Sequence, residues 1–149
     1  MKRLFSLLLI LAAAAYLGFN QNGRNTASSP SQNSTLTSDG DATLNNAIAN
    51  HQRNIQVQGR AVVTRLLADD TEGIRHQKFI IRIASGQTIL IAHNIDEANR
   101  IDTLRPGDTI DFNGEYEWTP QGGVIHWTHH DSSGRHPSGW IKLNGQTYQ

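Results

Sequence analysis

The segment HWTHHD, residues 126–131, places three of the seven histidines of this chain and one aspartate within six positions. Imidazole and carboxylate groups are ligands for divalent metal ions, and imidazole is also a general base near neutral pH. The chain has no cysteine, so any metal site must use nitrogen and oxygen ligands. The crowding of these residue types indicates a site for a divalent metal, most simply zinc, or for an anionic ligand. Copper and nickel suit imidazole equally well.

Two sets of residues are candidates for this site. The candidate metal ligands are His76, His93, His126, His129 and Asp131. The side chains suited to holding an anionic polymer, a nucleic acid or an oligosaccharide are Arg75, Arg82, Asn94, Trp127, His130 and Trp140. The opposing interpretation is structural, because a histidine on a half-buried strand commonly donates one ring nitrogen to a backbone carbonyl. We expect that structural role for His51 and His136, which lie in or near loops, and the spacing of the candidate ligands matches no known metal motif.

The N-terminal residues predict export. Lys2 and Arg3 precede an uncharged apolar stretch over residues 4–19, and the alanine run at residues 12–15 offers a cleavage site. Residues 1–19 are therefore predicted to be a signal peptide or a short uncleaved anchor, and the protein to be periplasmic or secreted. Without Lys2 and Arg3, the 13 basic side chains fall to 11 against 13 acidic ones, which argues against a general duplex-DNA binder.

Two further regions follow the apolar stretch. Residues 20–41 are rich in Asn, Ser, Thr and Gly and almost without apolar side chains, which predicts a flexible linker. The segment ATLNNAIANH then has Leu44, Ala47 and Ile48 at helical spacing, which predicts a short helix. Residues 42–149 are expected to form a single domain.

The rest of the chain alternates apolar and polar residues, as half-buried strands do. The five predicted strands are NIQVQGRAVVTRLL, HQKFIIRIA, QTILIAHN, TIDFNGEYEW and VIHWTHHD. Gly59, in the middle of the first strand, predicts a bulge or tight bend there, and Asn144-Gly145 predicts a C-terminal hairpin. This order predicts an all-β, five-stranded Greek-key barrel of the oligonucleotide/oligosaccharide-binding (OB) type, with an open β-sandwich as the alternative.

The second and third strands form a predicted hairpin that sets the position of two histidines. A two-residue loop at Ser85-Gly86 pairs Lys78 with His93. His76 then lies diagonal to His93 on the same face, within reach for long side chains. This register predicts that both imidazoles contribute to one site.

The predicted last strand carries the HWTHHD segment. Alternate residues point to opposite faces, so His126 and His130 share one face and His129 takes the other. At about 3.3 Å per residue, His126 and His130 lie about 13 Å apart, too far to share an ion while the strand stays extended. A common site therefore needs one of them beside a histidine of the hairpin, or His129 beside Asp131 at the end of the strand.

Three segments together resemble a known family. RHQKFIIRIASGQTILIAHNI, GDTIDFNGEYEW and GGVIHWTHHDSSGRHPSGWIKLNGQTYQ are similar to the signatures of a bacterial family catalogued as domain of unknown function 3465. The resemblance covers roughly residues 50–149. It implies a small exported domain and carries no activity or catalytic role.

These observations support a binding module whose histidine-rich surface holds a divalent metal or an anionic polymer. The first alternative is a metal-dependent hydrolase acting on phosphodiesters, in which His126 or His129 positions the metal or acts as general base. In that hydrolase Arg75 or Arg82 would stabilise the developing negative charge, but the sequence has no recognisable nucleophile or paired-carboxylate site. The second alternative is a structural or protein-interaction domain.

Overall fold

A computed structural model describes residues 32–149, with side chains from residue 39 onward. The elements are α1 (Gln32–Ala49), β1 (Ile55–Leu66), β2 (His76–Arg82), β3 (Thr88–Asn94), β4 (Thr109–Glu117), β5 (Val124–His126), β6 (Trp140–Leu143) and β7 (Gln146–Tyr148). The predicted signal peptide and residues 20–31 of the predicted linker lie outside the described residues. Within them, no helix is both long enough and apolar enough to cross a membrane.

Helix α1 begins at Gln32, so it includes the last ten residues of the predicted linker. It packs on β1, and its Leu44 and Ala47 are fully buried in the core. A Cβ added at Gly40 would lie 2.2 Å from the backbone oxygen of Gln58, so the helix backbone rests directly against β1 there. Composition predicted flexibility at Gly40, but in the fold its missing side chain permits a close packing contact.

The strands close into a barrel. β1 pairs with both β2 and β4, β3 pairs with β5 in parallel, and β5 pairs with β4, so the order β1-β2-β3-β5-β4 returns to β1. The predicted five-stranded barrel is confirmed. The predicted C-terminal hairpin is also present, because β6 extends the sheet from β4 and pairs with β7. Asn144 and Gly145 in its turn both have positive φ, at 51° and 82°, as a type I′ turn requires.

Alternate side chains of the strands fill the barrel interior. Its largest fully buried members are Tyr116, Phe79, Phe112, Leu44, Ile81, Ile89, Ile91, Ile101, Ile110, Ile125 and Ile141. Ile101 and Leu104, from the irregular segment between β3 and β4, join the same core. Burial of this apolar surface is the main stabilising contribution in a domain that has no disulfide.

The pairing of strand β1 is interrupted at a different place from the predicted bulge. Its pairing with β4 is continuous through Gly59, whereas its pairing with β2 is interrupted between Val63 and Arg65. The prediction of a bulge at Gly59 is therefore wrong. A Cβ at Gly59 would lie 2.9 Å from Asp41 Oδ1 and 3.1 Å from the Phe112 ring, so glycine is needed there because α1 and the core approach closely.

The β2–β3 hairpin has a register one residue away from the predicted one. Gln77 pairs with His93, and His76 pairs with Asn94, so the predicted Lys78–His93 pair is wrong. A slip of one residue turns each side chain to the opposite face of its strand. His93 consequently points inward beside Gln77, whereas His76 lies on the outer face.

The apolar pattern explains the observed register. Phe79 pairs with Ile91 and Ile81 with Ile89, and all four side chains are buried in the core. The predicted register would have placed the two apolar sets on opposite faces of the hairpin. The connecting turn closes with the amide of Ile83 donating to the carbonyl of Gln87 at 3.1 Å, leaving three residues in the loop.

Candidate functional site

The last barrel strand ends earlier than predicted. β5 covers only Val124–His126, and Trp127 has a φ of 52°, which takes the backbone out of the extended conformation. The following Thr128 and His129 are buried, and the amide of Gly139 donates to the carbonyl of His129 at 2.8 Å. The predicted alternation of faces beyond His126 is therefore wrong, because the chain turns away from the sheet at Trp127.

A mixed carboxylate and imidazole group lies on the outer face where β4 pairs with β5. Glu115 pairs directly with His126, and Glu117 is its diagonal neighbour on the same face. One possible ligand atom from each of the three side chains lies within 4.8 Å of the other two. Among residues 32–149 these three form the one group that meets this distance criterion for a metal ion. We call Glu115, Glu117 and His126 the triad.

The His126 ring has an incomplete set of contacts. Its Nε2 is buried from solvent and has no hydrogen-bond partner, although it lies 3.4 Å from Glu115 Oε1. Partial burial lowers the pKa of His126, and the nearby charges of Glu115 and Glu117 only partly oppose this effect. The imidazole is therefore neutral near pH 7, the form in which histidine coordinates a metal.

His136 contacts the triad from the loop that follows β5. Its Nε2 lies 2.8 Å from Glu115 Oε2, and its Nδ1 lies 2.8 Å from the carbonyl oxygen of Pro137. Because both partners are acceptors, both ring nitrogens can donate at once only in the imidazolium form, which this arrangement favours. Burial by itself would lower the pKa of His136, but the bonds to Glu115 and Pro137 outweigh it and raise the pKa.

The triad adjoins an open cleft with a volume of about 770 Å³. The predicted site residues that line this cleft are His76, Asn94, His126, Trp127, His129, His130 and Asp131. Ile74, Glu97, Ser132, Ser133, Arg135 and His136 complete its wall. The structure thus gathers most of the predicted residues around one space, although only His126 belongs to the triad.

His93 is the first predicted ligand that the structure separates from the cleft. It is fully buried, with Nδ1 2.8 Å from Thr128 Oγ1 and Nε2 3.2 Å from the carbonyl oxygen of Asn99. Nε2 donates to that carbonyl and Nδ1 accepts from the threonine hydroxyl, so a neutral ring is fully satisfied. Burial is the largest cause that lowers its pKa to about 4. His93 is a core residue that positions Thr128 and the segment after β5.

Asp131 lines the cleft, but its oxygens are occupied. It accepts hydrogen bonds from the amides of Ser133, Arg135 and His136 and from the Ser133 hydroxyl, at 2.7–2.9 Å. These bonds hold the pKa of Asp131 far below its usual range. The carboxylate therefore organises the 131–138 loop and brings His136 to Glu115.

Three predicted ligand-binding residues lie outside the cleft lining. Arg75 forms an ion pair with Asp96, with Nη2 and Oδ1 2.6 Å apart. Arg82 lies at the turn end of the β2–β3 hairpin, opposite the end that carries His76. Trp140 lies on β6, where the Lys142 ammonium sits 4.3 Å from its ring centre. The predicted roles of Arg75 and Arg82 in stabilising charge at the histidine site do not fit these positions.

Trp127 stacks on two histidines. Its indole stacks on His136 with ring centres 4.0 Å apart and on His129 with ring centres 5.2 Å apart. These contacts give Trp127 a structural role, in which its ring packs against His129 and His136. Its predicted role in stacking bases or sugars stays a prediction.

Comparison with known proteins places this arrangement in a family. A family model described as "Protein of unknown function (DUF3465)" matches residues 28–149. The chain belongs to this family. The match confirms the resemblance noted on the HWTHHD segment and extends it through helix α1. A search of curated proteins finds none that matches the chain.

Three residues of this candidate site have no functional role predicted from the sequence. Glu115 and Glu117 occupy polar positions of the predicted strand TIDFNGEYEW, and His136 is predicted to be structural. A sequence pattern could have indicated the two glutamates. If Tyr116 and Ile125 pair in the core, the neighbouring pair is Glu115 and His126 on the outer face, and Glu117 lies two residues further along that face. No sequence signal indicates His136, because its position depends on the loop that Asp131 organises.

Proposed function

We propose that this DUF3465 domain is a metal-binding β-barrel module whose triad holds one divalent transition-metal ion, with zinc as the leading candidate. Glu115, Glu117 and His126 would supply two carboxylates and one imidazole. Zinc accepts these ligands, and sites with three protein ligands keep a fourth position for water or another ligand. The observation that carries the proposal is the buried, unpartnered Nε2 of His126 beside two carboxylates.

The uncompensated polar atom is the first argument. A buried nitrogen without a partner costs free energy, of the order of 1–3 kcal/mol, unless something satisfies it. A metal ion coordinated by Nε2 would remove that cost, and the neutral state of His126 makes its lone pair available.

Charge is the second argument. Glu115 and Glu117 place two carboxylates within 4.8 Å of one another, and like charges at that distance repel. His136 already donates to Glu115, but the Arg53 Nε lies 4.0 Å from Glu117 and is largely exposed, so the compensation of Glu117 is weak. A divalent cation would offset the remaining negative charge of the pair.

Support around the triad is the third argument. His136 donates to the Glu115 oxygen that faces away from His126, and Asp131 fixes the loop that carries His136. Carboxylates that bind metals are commonly oriented by such outer hydrogen bonds, and loss of an outer partner typically weakens metal affinity by about 10–100-fold.

Zinc titration of the metal-free protein, prepared without a histidine tag, tests the proposal. We expect one ion per chain in competition with a chromogenic chelator, and a Co²⁺ complex with a visible absorption spectrum. Glu117→Gln and His126→Gln should lower the affinity by more than about 100-fold, because each removes a direct ligand. Glu97→Gln is the matched control, since Glu97 lines the cleft outside the triad and should bind zinc like the wild type.

Two results would reject the triad as a metal site. One is the absence of stoichiometric zinc binding to the folded wild-type protein. The other is equal affinity in wild type and Glu117→Gln, which would locate any bound zinc elsewhere.

We also propose that the domain acts outside the cytoplasm, on the basis of the charged and apolar pattern of residues 1–19. Fractionation of cells expressing the full chain, with mass measurement of the product, tests this location. Recovery of the uncleaved chain in the cytoplasmic fraction would contradict it.

A further inference from the structure

The cleft offers far more room than a metal ion needs. Its volume of about 770 Å³ is typical of sites for small organic ligands. Of the triad, His126 lines the cleft with part of its ring, whereas Glu115 and Glu117 do not line it. Because His126 Nε2 is itself buried from solvent, an ion held there would lie at the inner edge of the larger binding space.

The walls of that space favour recognition by charge and hydrogen bonding. Trp127 already stacks on the imidazoles of His129 and His136, which favours a packing role for its ring over stacking on a base or a sugar. His76 makes no side-chain hydrogen bond to the described part of the chain. His129 and His130 each use Nδ1 within the protein, at 3.1 Å to the His130 carbonyl and 3.0 Å to Ser138 Oγ, and retain a second ring nitrogen.

Arg135 is the basic residue on the cleft wall. Its Nε lies 3.1 Å from Ser133 Oγ, and within residues 32–149 its guanidinium forms no ion pair with a carboxylate. Arg75 and Arg100, by contrast, are each paired with aspartates. The terminal nitrogens of Arg135 therefore retain their donors, and a guanidinium binds phosphate oxygens in a bidentate geometry.

We propose that the cleft binds the phosphate group of a small phosphomonoester between Arg135 and the metal ion of the triad. A phosphomonoester has three terminal oxygens, so it could bind a metal ion and a guanidinium at the same time. A carboxylate ligand has only two oxygens with which to contact both groups. This inference rests on the proposed metal function, because without the ion Glu115 and Glu117 would repel an anion. The organic part of the ester would occupy the remaining volume.

Phosphorus NMR of the Co²⁺-loaded protein tests the inference, since the paramagnetic ion broadens the resonance of a phosphate bound beside it. Inorganic phosphate and phenyl phosphate are the two probes, and acetate is the competing anion. We expect both phosphates to bind, phenyl phosphate more tightly, and acetate to compete poorly. Arg135→Gln should weaken phosphate binding at least about tenfold without changing Co²⁺ affinity, because Arg135 does not contact the triad.

Arg82→Gln is the matched control. Arg82 is also exposed, lies at the far end of β2, and should leave phosphate binding unchanged. Equal phosphate affinity in wild type and Arg135→Gln would overturn the inference. Equal affinity for inorganic and phenyl phosphate would overturn the assignment to an ester and identify free phosphate as the ligand.

The two proposals fail in different ways. Co²⁺ binding without phosphate binding would reject the phosphate site and leave the metal function standing. Failure of Co²⁺ to bind would reject the metal function and, with it, the bridged phosphate site described above. Metal content is therefore measured on each sample before phosphate is added.

Discussion

The buried imidazole of His93 makes the domain sensitive to acid. The ring is fully buried and satisfied in its neutral form by Thr128 and Asn99, and burial lowers its pKa to about 4 from an ordinary value of 6.5. Above pH 6.5 the ring is neutral in both folded and unfolded chains, so it adds no pH dependence. As the pH falls from 6.5 to 4, the unfolded chain takes up the proton first, and the folded state loses stability.

The size of this loss follows from the two pKa values. Each pH unit between them corresponds to about 1.4 kcal/mol, so lowering the pH from 7 to 4 should reduce the free energy of unfolding by about 3 kcal/mol through His93 alone. Mesophilic domains have a total stability of roughly 5–15 kcal/mol, which makes this a large fraction. His126, whose pKa is also lowered, acts in the same direction.

Urea unfolding of wild type and His93→Gln, followed by far-ultraviolet circular dichroism at several pH values from 7 to 4, isolates the contribution of His93. The variant is expected to be less stable at pH 7, because it loses a fitted ring, but its stability should fall with pH more gently. The slopes of wild type and variant should differ by about 1 kcal/mol per pH unit near pH 5.5. Parallel slopes would refute the assignment of a buried neutral ring at position 93.

Four further substitutions test the fold and the supports of the site. Gly114→Ala should lower both the free energy of unfolding and the zinc affinity, because the new Cβ would lie 2.5 Å from the His126 carbonyl oxygen and displace β5. Urea unfolding and zinc titration measure the two effects, and wild-type values in both would contradict this prediction. Asp131→Ala should raise amide hydrogen exchange at Ser133 and His136, and unchanged protection would disprove the loop-organising role. His136→Gln should weaken zinc binding by about 10–100-fold, because it removes the outer hydrogen bond to Glu115. Equal zinc affinity in wild type and variant would contradict this role of His136. Phe112→Ala should cost about 3–5 kcal/mol in urea unfolding, and a loss below about 1 kcal/mol would show that the core tolerates the cavity.

Alternation was enough to predict the barrel. β4 shows why, because its buried and half-exposed residues alternate over nearly its whole length, from Thr109 to Glu117. The register of the β2–β3 hairpin was also encoded, since pairing the apolar residues of both strands on one face selects the observed partners. The prediction went wrong there because it relied on the Ser85-Gly86 turn signal, and loop length is a weaker constraint than burial of four core side chains.

The candidate site was only partly predictable. Crowding of histidines in HWTHHD predicted a site in this segment, and several of the predicted residues line one cleft beside the triad. The separation of His93 from that cleft follows from register, and the recruitment of His136 follows from a loop. Neither the burial of His93 nor the contact of His136 with Glu115 is marked by a pattern in the neighbouring sequence.

The sequence by itself determined the strands and the barrel, because apolar periodicity and turn chemistry are local properties of the chain. Only the tertiary structure decided which polar groups meet. Glu115 faces His126 because two strands pair, and the chain leaves the sheet because Trp127 adopts a left-handed conformation. The pairing of Glu115 with His126 requires that the barrel closes around its core. Closure depends on apolar residues from all strands, which are distant from one another along the chain.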